Sequence, residues 1–132
     1  MIGTLLANNI FSLIRGSNVT TFSPHIALHS GPPTISNEIT AAGYLGDQPI
    51  PTSDWVFITE DSHIVMSNSR RITFGDPSGR WDPTYAGIWN GAPAADNILI
   101  PVIITPKMIS SSIDEVFIAP GAFRIRLPIF TP

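Results

Sequence analysis

DWVFITEDSHIVMS, residues 54–67, decides the fold. Two short apolar runs rich in β-branched and aromatic residues flank Glu60-Asp61. The break between them holds turn formers, so the stretch reads as an antiparallel hairpin with Glu60-Asp61 in the turn. The same grammar recurs on both sides: IALH at 26–29, RITFG at 71–75, YAGIW at 85–89, NILIPVIIT at 97–105, EVFIA at 115–119 and FRIRL at 123–127. Pro and Gly punctuate these runs, with 13 Pro and 10 Gly in 132 residues. The expectation is a mainly β chain: an antiparallel β-sandwich or barrel, jelly-roll-like, in a single domain over 1–132.

One stretch breaks the pattern. TLLANNIFSLIR, residues 4–15, places Leu6, Ile10, Leu13 and Ile14 on one helical face. Thr4 is the expected N-cap, Gly16 the C-cap, and Arg15 suits the negative end of the helix dipole. The polar face carries Asn and Ser instead of Lys and Arg, which argues for packing on the sheet edge or on a neighbouring subunit and against a membrane surface. The front of the chain has no basic leader and no cleavage pattern, and no apolar run is long enough to span a bilayer.

The composition points outward. Only 13% of residues are charged against 43% hydrophobic. An average globular protein carries about 25% charge. A small domain with so little charge is expected to have a surface rich in Ser, Thr and Asn and, above all, to have part of it covered by a partner. Net charge is −3, so no global field draws nucleic acid. With no Cys, neither disulfides nor thiolate chemistry arise.

Three loops stand out: 30–53, 75–84 and 90–97. The first is long and Pro-rich, without clear periodicity, and loops of that kind tend to be functional. Pro101 inside the run 97–105 marks an edge strand, a bulged strand or two short ones. In FRIRL, Phe123, Ile125 and Leu127 face one side, and Arg124 and Arg126 the other.

No constellation of residues suggests catalysis. His25 and His29 lie about 13 Å apart along a strand and cannot share a metal ion. Asp76 and Asp82 lack the regular ligand ladder of a calcium loop. Glu60-Asp61 belongs to a turn, and no nucleophile elbow, phosphate loop or dinucleotide fingerprint is present. The chain is expected not to be an enzyme and to need no cofactor. Trp55 and Trp89 are expected in the core, with Phe57, Phe74, Ile88, Ile100, Phe117 and Ile125. Trp81 lies in a loop and is expected to face a partner.

The order of segments carries a resemblance. A helix ending in Arg15-Gly16 is followed by IALHSGPP at 26–33, NEITAAGY at 37–44, SRRITFGDP at 69–77, TYAGIWNGA at 84–92, NILIPVIITPK at 97–107 and GAFRIRL at 121–127. Over nearly the whole chain this resembles a family of small tailed-bacteriophage virion proteins, often labelled tail-fibre-like. Gly31-Pro32-Pro33 and Tyr44-Leu45 depart from that family's usual turns. The resemblance implies a virion structural protein, assembled in the host cytoplasm. The leading expectation is a capsid decoration (cement) protein that binds the major capsid protein or other virion proteins, as a homotrimer. The alternative is a tail-fibre or baseplate component for host attachment. A small hydrolase acting on envelope sugars is a third reading, against which the absent carboxylate pair argues. The expected partner-binding residues are Trp81, Arg80, Arg124, Arg126, Pro32, Pro33 and Tyr44. No nucleic acid and no membrane are expected as partners.

Overall fold

The computed structural model describes residues 1–104 and 115–130. One helix, α1 (Thr4–Arg15), precedes β1 (Pro24–His29), β2 (Gln48–Pro49), β3 (Trp55–Glu60), β4 (His63–Asn68), β5 (Ile72–Gly75), β6 (Tyr85–Asn90), β7 (Ile98–Ile103), β8 (Val116–Ile118) and β9 (Arg124–Pro128). Every strand pair is antiparallel. The strands form a four-stranded sheet in the order β2-β1-β6-β7, a three-stranded sheet β3-β4-β9 and a two-stranded sheet β5-β8. The fold is thus mainly β, sandwich-like, with one short N-terminal helix.

Alternation explains the core. Ile26 and Leu28 of β1 and Ala86 and Ile88 of β6 project from one face of the four-stranded sheet. They cluster with Ile72 and Phe74 of β5, and with Trp81, Leu99 and Phe123. The expected core residues Phe74 and Ile88 are buried; Trp55, Ile100 and Ile125 are half-buried and pack against the cluster.

The hairpin read from 54–67 forms, with its turn one residue later than expected: Glu60 ends β3, paired with His63, and the turn is Asp61-Ser62. Asp61 (φ 47°) and Ser62 (φ 58°) are both left-handed, as a two-residue type I′ turn demands. Pro101 lies in β7, an edge strand whose pairing with β6 shifts register near Ile88/Trp89. The end of the run 97–105 and of the motif 97–107 lies outside the described residues.

The helix spans the expected residues, but its start differs. Gly3 is the N-cap, without a side-chain cap. Its N–H donates to the Leu99 carbonyl at 2.7 Å, so the chain enters the helix from the edge of β7. Gly16 closes it in the left-handed conformation, with Ser17 N–H donating to Ser12 O. Of the expected apolar face, only Leu6 reaches the core, beside Leu5; Ile10, Leu13 and Ile14 are exposed. The core lies under the first turns, and the second half of α1 extends beyond it.

Candidate interaction surface

The long loop 30–53 is clamped to loop 75–84. Tyr44 lies between Phe74, in a stacked arrangement at 6.3 Å, and Trp81, edge-on at 5.5 Å. The Tyr44 hydroxyl donates to Glu38 Oε2 (2.8 Å) and accepts from the Leu28 N–H (3.1 Å). Trp81 Nε1–H donates to the Ala42 carbonyl. Backbone bonds add Leu45 N–H to Phe74 O and Ser78 N–H to Ala42 O. Gly43 (φ 91°) permits this approach, because a Cβ there would collide with the Asp76 carbonyl.

This corrects the expected role of two residues. Trp81 is 0% exposed and belongs to the core. Tyr44 has its hydroxyl committed on both sides and its ring stacked. Neither is placed to grip a partner. Burial also pushes the Tyr44 hydroxyl and the Glu38 carboxyl up from their ordinary values; for Glu38 the nearby Asp47 charge adds to the rise and the Tyr44 hydrogen bond opposes it.

Of the expected arginines, Arg80 chelates Asp82 two residues on, and Arg124 pairs with Glu60 across the sheet at 2.6 Å. Arg126 is exposed and makes no ion pair within 4.0 Å among the described residues. Arg71 pairs with Glu115 and lies 3.9 Å over the Phe117 ring, tying β5 to β8. Pro32 is exposed and Pro33 half-buried. Among the described residues, no group of three His, Asp or Glu could hold a metal, and no helix is long and apolar enough to cross a membrane.

The exposed apolar surface lies elsewhere. In the β3-β4-β9 sheet, register puts Trp55, Phe57, Met66, Ile64, Ile125 and Leu127 on one face. Trp55 and Phe123 meet edge to face at 6.3 Å, at the end of this face that packs on the core. The other end projects past the core, where Phe57 is 66% and Leu127 62% exposed. Val56 and Ile58 are exposed on the opposite face. Phe57 is therefore not a core residue, and neither is Phe117, which is 42% exposed. The second half of α1 forms another patch, with Ile10, Phe11, Leu13 and Ile14 in solvent. An open groove of about 620 Å³ runs between β7 and β8, lined by Leu28, Phe74, Val102, Ile103, Phe117 and Ile118 among others.

Sequence reasoning missed the β3-β4-β9 end as surface, although it was legible as apolar; for α1 it named the sheet edge or a neighbouring subunit, and the helix divides, with Leu5 and Leu6 on the core and its outer half in solvent. No model of a known protein family matches the chain, and a search of curated proteins finds no significant match.

Proposed function

We propose that this chain is a bacteriophage virion structural protein, a capsid decoration protein that binds neighbouring capsid subunits as a homotrimer. The observation that carries the reading is the apolar surface left in solvent at the far end of β3-β4-β9, around Phe57, Ile64 and Leu127. A sheet end with apolar residues exposed on both faces is costly in a free domain and suits burial against another protein. The order of sequence motifs, from Arg15-Gly16 to GAFRIRL, supports the virion assignment. The partner surface in this reading is that sheet end, the outer half of α1, and the exposed Pro32 and Arg126.

The tail-fibre or baseplate reading is the alternative, and the burial of Trp81 withdraws one expected contact from both readings alike. The deciding experiment mixes purified protein with undecorated phage heads and with host cells. Co-sedimentation with heads, and density for the chain on their outer surface, is the expected result. Cell binding without head binding would replace this reading with the fibre one.

A further inference from the structure

We propose that His29 is an acid-sensitive latch: its protonation breaks a buried contact with Trp89 and frees the loop that Asn37 organises, residues 30–38. The latch is a property of this chain whichever partner it meets.

His29 is wholly buried on the face of β1 turned away from the main core, beside β6. Its two ring nitrogens have different partners. Trp89 Nε1–H donates to His29 Nε2 at 3.1 Å. An indole N–H can only donate, so Nε2 must be the bare acceptor. His29 Nδ1 lies 2.9 Å from Asn37 Oδ1. That oxygen also accepts from the Thr34 N–H, while Asn37 Nδ2 donates to the Pro32 carbonyl. The amide orientation is therefore fixed, and Nδ1 carries the proton. Both neighbours demand the same neutral tautomer.

A second proton has only Nε2 to go to, where it would point at the indole N–H. Trp89 is itself 2% exposed and so has little room to retreat. Its indole lies across Gly87, where a Cβ would come within 2.5 Å of Nε1 and 3.1 Å of the imidazole Nε2. The charged ring relieves the donor-donor contact by leaving its slot for water, and Asn37 loses its anchor. Burial also lowers the basicity of His29, in the direction the geometry requires.

The titratable groups around His29 are few. On β1, His25 is bonded to Asp47. On β6, Tyr85 is the register partner of His29. From the loop, Glu38 bridges His29 through the backbone, but its carboxyl holds the Tyr44 hydroxyl. Among the described residues, none of these puts a charge on either ring nitrogen of His29.

The test uses a His25→Gln/His63→Gln chain, in which His29 is the one remaining histidine. Its imidazole signals are followed by NMR from pH 8 to pH 4, with hydrogen exchange at the Ser30 and Ile39 amides. Those amides donate to Asn37 O and Leu28 O. Protonation of His29 is expected below the ordinary imidazole value of about 6.5. At the same midpoint the Ser30 amide should lose protection and the Trp89 indole N–H signal should move, while β3-β4 stays protected. Trp89→Phe removes the opposing donor and should move the midpoint up toward the ordinary value. Should that variant fail to fold, Asn37→Asp serves in its place: a carboxylate at Nδ1 also moves the midpoint up. Titration at the ordinary value, a loop still protected when His29 is charged, or unfolding of the whole chain at that midpoint would each overturn the latch.

Discussion

Trp81 stands edge-on to Tyr44 at 5.5 Å, and its indole N–H holds the Ala42 carbonyl at 3.0 Å. Through this pair, two loops that are far apart in sequence become part of the core. Trp81→Ala is expected to cost about 3–5 kcal/mol of stability, as large-to-small changes of buried aromatics do. Thermal or denaturant unfolding measures it. A wild-type midpoint would show that the clamp contributes nothing.

Phe57 and Leu127 are expected to behave in the opposite way. Both lie on the exposed end of the three-stranded sheet, so Phe57→Ser and Leu127→Ser should shift stability by no more than about 0.5 kcal/mol. If the proposed role holds, the same changes weaken attachment to phage heads by about 1–2 kcal/mol or more. Melting curves and co-sedimentation, run on the same preparations, separate the two effects. Loss of folding on either substitution would place these residues in the core after all.

Gly87→Ala tests the slot occupied by Trp89. The added methyl would meet the indole nitrogen at 2.5 Å and the Ile98 side chain at 3.2 Å. Overpacking of this kind costs about 1–3 kcal/mol. Near-UV circular dichroism of the tryptophans should change along with the midpoint of unfolding.

Glu38 makes a pH prediction. Its carboxyl is raised in the folded chain, chiefly by burial. Between its ordinary value and the raised one, the native state holds more protons than the unfolded state, so its share of stability falls as pH rises through that window. Glu38→Gln keeps an oxygen acceptor for Tyr44 and removes the buried charge. The variant should be more stable than wild type above the window and should lose the advantage at lower pH. Denaturation midpoints from pH 4 to pH 8 measure this, and a constant difference would exclude Glu38 as the titrating group.

The strands and the helix could be read because a two-residue or 3.6-residue period reports which face a side chain takes. Period alone does not report how far along a strand the core extends. Trp55 and Phe57 share one face of β3, yet only Trp55 reaches the core. The same limit governs α1, where Leu6 is covered and Ile10 is not. Trp81 was misread for another reason. Loops usually run in solvent, and nothing local says that loop 75–84 is roofed by a segment more than thirty residues upstream. The glycines at 43 and 75 were the available sign, since their backbones pass too close for any side chain. The low overall charge says that apolar surface must be left in solvent, and the apolar runs contain it without locating it.

The contact among Gly87, Trp89 and His29 also restricts how this chain can diverge. Position 87 can gain a side chain only in a sequence whose position 89 has given up its indole. Once the indole is gone, His29 loses its reason to stay an unprotonated acceptor. The three positions are therefore expected to change together or not at all. A distant relative could be recognised by this joint substitution pattern even where the surrounding strands have drifted beyond ordinary alignment.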